Sequence, residues 1–230
     1  NEDIATIAAK ETWTAEDYQA LLVQLSAQGS GPDKLRAMLG EMQAANPDAK
    51  GGAAMKIGML RYSLCRFEEA LAALGAATDN KDRRYFQAQC YKQLRQYDKA
   101  LEDLARAKDR GWDGLAIDLE VAEVQALAGS PDAAAAALDK LDKKAGDRAD
   151  YHYARGLADE LRGFGEQAEQ AYLKARQIDP NHVGATFRLA YYYDLRGEEK
   201  EAIELYRQVV ARPPVHANAL LNASRPADAE

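Results

Sequence analysis

Three histidines and two cysteines are the side chains of this 230-residue chain that could hold a metal or act as nucleophiles. His152, His182 and His216 share no helical ligand spacing, and neither Cys65 nor Cys90 lies beside them in sequence. A zinc site needs such clustering, so the histidines are expected to be solvated loop residues and no metal is expected. Two cysteines cannot build a disulfide framework. Cys65 falls in an inter-helix turn and Cys90 inside the next helix, so both are expected as free thiols. The chain has no C-x-x-C, no Gly-rich phosphate loop, no H-E-x-x-H and no nucleophile elbow. Glu68-Glu69 and Glu198-Glu199 pair carboxylates as acid–base catalysis would, but both pairs stand where second helices should begin. There they complement the helix dipole. Neither catalysis nor a cofactor is expected.

Composition narrows the classes further. Charged residues make up 29% and hydrophobic ones 47% of the chain, the balance of an ordinary soluble protein. No apolar run approaches the ~18 residues of a membrane span. The net charge of −7 argues against a nucleic-acid surface, which needs clustered Lys and Arg. Residue 1 is Asn and no signal peptide is visible. A cytoplasmic location is expected, with export left open because the start shown can be processed or internal.

The elements that must position any functional side chain follow from a repeat. Ala100, Ala134, Ala168 and Ala202 lie 34 residues apart, and Gly129, Gly163 and Gly197 keep the same step, as do Tyr172 and Tyr206, and Pro180 and Pro214. With the alanine at position 20, the units are 81–114, 115–148, 149–182 and 183–216. Each carries two helical patterns, which a Gly-containing turn splits in 115–148, 149–182 and 183–216. Position 8 is small (Ala88, Ala122, Gly156, Ala190), so two antiparallel helices can approach closely. Position 24 is bulky (Leu104, Leu138, Tyr172, Tyr206), and position 27 is apolar (Ala107, Leu141, Ala175, Val209), which puts 20, 24 and 27 on one face. Pro180 and Pro214 end second helices. Upstream, 51–80 fits the frame with Gly58, Phe67, Ala70 and Ala77, four residues short. Residues 16–49 form a degenerate first pair with a turn at 29–32 and Pro47 as terminator. Val23 and Leu35 stand where small residues belong. The Ala133–Ala137 run reads as close-packing helix, Trp13 as packing under the first hairpin, and Trp112 as a cap for its loop.

This pattern resembles the tetratricopeptide repeat (TPR). The resemblance implies an all-α fold, a right-handed superhelical solenoid of antiparallel helix hairpins with five to six repeats. The expected organisation is N-terminal helices with a degenerate first repeat over 1–50, five repeats over 51–216, and a C-terminal stub helix and tail over 217–230.

In that family the first helix of each hairpin lines a concave groove. The lining it implies here is Met55, Lys56, Met59 and Tyr62, then Asp82, Tyr85, Phe86, Gln89 and Lys92, then Leu119, Glu120 and Glu123. The later repeats add Asp150, Tyr153, Leu157 and Glu160, then Phe187, Arg188, Tyr191 and Asp194. Aromatic and methionine side chains suit an adaptable binding surface, and six acids against three bases favour a neutral or basic segment. The partner-binding set is expected to be Met55, Met59, Tyr62, Tyr85, Phe86, Gln89, Glu120, Glu123, Tyr153, Phe187, Arg188 and Tyr191. The family's carboxylate clamp of Lys and Asn is missing, because position 9 holds Met59, Gln89, Glu123, Leu157 and Tyr191.

The stretch from ARAKDRGWDG to VARPPVHANALLN is similar to a bacterial group of TPR proteins that end in a domain resembling the C-terminal domain of the RNA polymerase alpha subunit. That likeness implies a partner-binding arm of a transcription-associated protein. The expectation is a non-enzymatic scaffold that binds a peptide or helix of another protein. The alternative is a module that oligomerises through its exposed solenoid ends.

Overall fold

The computed structural model describes residues 3–27 and 31–210. Among them it has thirteen helices and no strand, so the chain is all-α as expected. These residues divide into two compact units, 3–112 and 113–210. Unit one holds α1 (Ile4–Ala9), α2 (Ala15–Ala27), α3 (Gly31–Ala45), α4 (Gly51–Ser63), α5 (Phe67–Ala76), α6 (Lys81–Gln93) and α7 (Tyr97–Asp109). Unit two holds α8 (Gly114–Leu127), α9 (Pro131–Ala145), α10 (Ala149–Leu161), α11 (Gly165–Ile178), α12 (Val183–Leu195) and α13 (Glu199–Val210). The expected stub over 217–230, with Pro214 and His216, lies outside the described residues. So do residues 29 and 30 of the expected turn, and Gly31 opens α3.

Sequential neighbours pack as hairpins: α4 with α5 and α6 with α7 in the first unit, then α8 with α9, α10 with α11 and α12 with α13 in the second. The repeated alanine is what each hairpin closes on. Ala70, Ala100, Ala134, Ala168 and Ala202 are all buried. Position 8 faces position 24 across the pair. A Cβ on Gly156 would lie 2.6 Å from the Tyr172 ring, and one on Gly58 would lie 2.7 Å from Leu74 Cγ. Ala88 and Ala122 stand opposite the smaller Leu104 and Leu138, and all four are buried. Tyr206 departs from this pattern and stays half-buried, with Leu205 beside it buried instead. Among the described residues no further hairpin packs beyond α13.

Glu68 and Glu69 fall in the first turn of α5, as their dipole role requires. The Pro180 stop is also in place, since α11 ends at Ile178. The turn inside each hairpin has one residue in the left-handed region. It is Gly129, Gly163 and Gly197 in the second unit (φ 86°, 85° and 75°), but Cys65 and Arg95 in the first (φ 60° and 56°).

The N-terminal pair departs from the rule. Val23, at the place where other repeats bury a small residue, is 62% exposed. α2 meets α3 only lightly, far less than any hairpin partner meets its mate. Val23 and Leu35 are bulkier than the small residues at the closing positions of the other hairpins. α2 lies instead against α4 and α6.

Candidate functional site

The side chains expected to line a groove sit on the first helix of each hairpin, α4 and α6 in unit one and α8, α10 and α12 in unit two. In unit one this face is covered. Met55, Met59 and Phe86 belong to one buried cluster with Ile7, Trp13, Tyr18, Leu21, Leu22 and Leu25 of the N-terminal segment. Met55 and Met59 are 1% and 0% exposed, and Gln89 is buried too. These four side chains are therefore core in this structure, and α1 and α2 are the reason. Tyr62 and Tyr85 are half-buried.

The cover is fitted, not merely apolar. Tyr18 packs edge-on to Phe86 at 4.9 Å and lies 6.4 Å from Tyr62. Its hydroxyl is hydrogen-bonded to that of Ser63 at 2.8 Å, and burial pushes its pKa up. Trp13 is buried and donates its indole N–H to the Ile7 carbonyl at 2.7 Å, in keeping with its expected packing role. The Lys56 ammonium lies 5.8 Å from the Trp13 ring centroid and donates to the carbonyls of Ala8 and Lys10, where α1 ends. Burial lowers its pKa. At the start of α2, Thr14 and Asp17 form a reciprocal capping box. Asp82 of α6 accepts the N–H of Ala15 at 2.9 Å. The loop between α1 and α2 runs over Gly52, where any Cβ would lie 2.3 Å from the Glu11 carbonyl oxygen.

At the other edge of unit one, Trp112 stacks on Tyr85 at 4.1 Å with an interplanar angle of 11°. The loop it closes has Gly111 at φ 89°. Cys65 and Cys90 form no disulfide among the described residues, and burial raises the Cys90 pKa.

In unit two the first-helix face is partly spent on internal polar contacts. Arg188 is buried and pairs with Glu160 at 3.0 Å, and Glu160 also accepts the Tyr172 hydroxyl at 2.6 Å. Burial works against the Arg188 charge, but Tyr172 and Glu160 outweigh it and raise its pKa. Its Nε is buried without a partner. Tyr153 is buried against Tyr172 and over Gly184. Phe187 is buried 5.9 Å from Tyr206. Glu120 and Glu123 are half-buried, and Tyr191 is 37% exposed. Of the twelve expected contacts, Tyr191 alone classes as exposed among the described residues.

Two histidines correct their expected roles. His182 is the N-cap of α12: Nδ1 accepts from the Ala185 N–H at 3.1 Å, and Nε2 lies 3.3 Å from Asp150. The His182 hydrogen bond, outweighing the cost of burial, lowers the Asp150 pKa. His152 is inside α10, with Nε2 2.9 Å from the Gly146 carbonyl. Neither is a solvated loop residue. Among the described residues no group of three or more His, Cys, Asp or Glu could hold a metal ion. No described helix is long and apolar enough to cross a membrane.

One element of the exposed face escaped the reading of the sequence. Leu161 and Leu195 end the first helices of two hairpins and are 48% and 67% exposed. Leu127 stands one repeat earlier at the same place, so a 34-residue leucine step was available as a signal.

The helical-hairpin class agrees with one comparison, which covers a single hairpin. Residues 81–110, the α6–α7 hairpin, match the family model of the tetratricopeptide repeat. No curated protein matches the chain. Among solved structures, YrrB, described as a TPR protein with an unusual peptide-binding site, is 18% identical over 80% of this chain and 96% of its own, with a TM-score of 0.42. MamA from Desulfovibrio magneticus RS-1 is 19% identical over 77% and 100%, with a TM-score of 0.43. Another MamA structure is 20% identical over 67% and 92%, also with a TM-score of 0.43.

Proposed function

We propose that this chain is a non-enzymatic protein-interaction scaffold that presents first-helix faces to a peptide or helix of a partner protein. The observation that carries this is the pair Tyr191 and Leu195. They stand one turn apart on α12, exposed, on the helix face where the family binds its ligands. An exposed aromatic beside an exposed leucine is the anchor chemistry of protein interfaces. Of the expected set, Tyr191, Glu120 and Glu123 remain accessible in unit two, and Tyr62 and Tyr85 retain partial exposure in unit one. Half-buried Glu120 and Glu123 favour a neutral or basic segment, and the net charge of −7 disfavours nucleic acid. A role beside transcription is supported by the likeness of the stretch from ARAKDRGWDG to VARPPVHANALLN alone.

Cross-linking capture with the full chain tests this. Tyr191→Asp with Leu195→Asp removes the captured protein while leaving the melting temperature within about 2 °C, because exposed sites contribute little to stability. Glu120→Lys with Glu123→Lys weakens a basic partner. Capture unchanged by both pairs contradicts the reading.

A second reading, self-assembly, draws on the exposed Ile203 and Val210 of α13. Light scattering that stays at monomer mass at high concentration removes it.

A further inference from the structure

We infer that residues 3–25 are a built-in ligand of unit one, seated on the α4–α6 face and displaceable by a partner segment of the same chemistry. The seat has the features of a binding site. An ammonium, Lys56, meets the carbonyl end of α1, and a carboxylate, Asp82, meets the N–H end of α2. Each charge complements the helix terminus it touches. Two aromatic side chains, Trp13 and Tyr18, enter between them, and Gly52 leaves room for the passing backbone.

The segment lacks the hairpin partner that holds every other helix of the repeat. α2 leaves α3 and exposes Val23, and α1 has only six residues, too short for a stable helix on its own. Its hold is therefore the face itself. The segment also states what the face accepts: a Trp on the approach to a short helix that carries a Tyr, with a backbone N–H at the helix start for Asp82 to accept. A tethered copy acts at an effective concentration of roughly millimolar, so it keeps the face closed to weaker segments. This concerns unit one only and does not depend on Tyr191 or Leu195.

The experiment uses the full chain and a fluorescent peptide of residues 3–25, followed by anisotropy. Trp13→Ala with Tyr18→Ala in the chain weakens the internal ligand and leaves the face intact. The peptide then binds at least about tenfold more tightly to this variant than to the unaltered chain, since each large truncation removes much of an anchor. A peptide with the same two alanines gains nothing, and adding Asp82→Ala to the chain abolishes the gain. In the unaltered chain, amides of α2 exchange with deuterium at least about tenfold faster than those of α6, the mark of a separately opening unit. Equal peptide affinity in both chains overturns the inference. So does a variant that loses its helical circular dichroism, or α2 amides that exchange together with α6.

Discussion

The carboxylate of Asp82 accepts the backbone N–H of Ala15 at 2.9 Å, across 67 residues of chain. Asp82 occupies the second position of its repeat, on the α4–α6 face, and caps a helix of its own chain. Asp82→Ala leaves that donor with no carboxylate and costs about 1–2 kcal/mol, the range of a lost N-terminal cap or charged hydrogen bond. Asp82→Asn recovers part of it. Urea unfolding monitored by Trp fluorescence measures both, and identical midpoints for the Ala and Asn variants would contradict the assignment.

The fit between Gly156 and Tyr172 makes a second prediction. A methyl group on Gly156 overlaps the ring, so Gly156→Ala destabilises by about 1–3 kcal/mol, as overpacking does. Where Ala122 occupies this position the opposing residue is Leu138. Gly156→Ala with Tyr172→Leu therefore costs less than the sum of the two single changes. A double-mutant cycle with no coupling would refute the pairing.

Hairpin architecture was legible because its determinants are local and periodic. Small residues at position 8, alanine at 20 and apolar bulk at 24 act within one helix pair, so a 34-residue step exposes them. The groove was less legible. Met55, Met59 and Phe86 sit at positions that line an open face in a regular repeat, yet α1 and α2 cover them here. That contact is long-range and carries no period. Val23 and Leu35 marked the first pair as irregular, but not where α2 would go. His182 misled for a related reason: position in a turn suggested solvent, whereas a ring nitrogen can cap a helix as a carboxylate does.

The left-handed turn residue differs between the units, and the difference carries a stability cost. A non-glycine residue there costs about 1 kcal/mol or more. Arg95→Gly therefore raises stability by about 0.5–1 kcal/mol after the greater freedom of glycine in the unfolded chain is deducted. The reverse change, Gly129→Ala, lowers it by about 1 kcal/mol. Thermal melts that move in the opposite directions would exclude strain at this turn.

Acid should loosen unit one through Asp79. A hydrogen bond from Arg84, aided by the charge of Arg110 against a small burial cost, holds its pKa at about 2, below its ordinary 3.8. A carboxyl whose pKa is depressed by folding stabilises fully above pH ~4 and loses that contribution as pH falls further. Urea midpoints of the unaltered chain fall across this window toward pH 2, and Asp79→Asn flattens the fall. Equal slopes would show that the Arg84 pairing adds nothing.

The most direct measurement is methionine oxidation. The four methionines form two pairs: Met38 and Met42 are half-buried on α3, while Met55 and Met59 lie beneath α1 and α2. Dilute peroxide followed by peptide mass spectrometry should convert Met38 and Met42 to sulfoxides at least about tenfold faster than Met55 and Met59, because oxidation follows access. Four methionines oxidising at one rate would mean that the α4–α6 face is open and that the N-terminal segment does not occupy it.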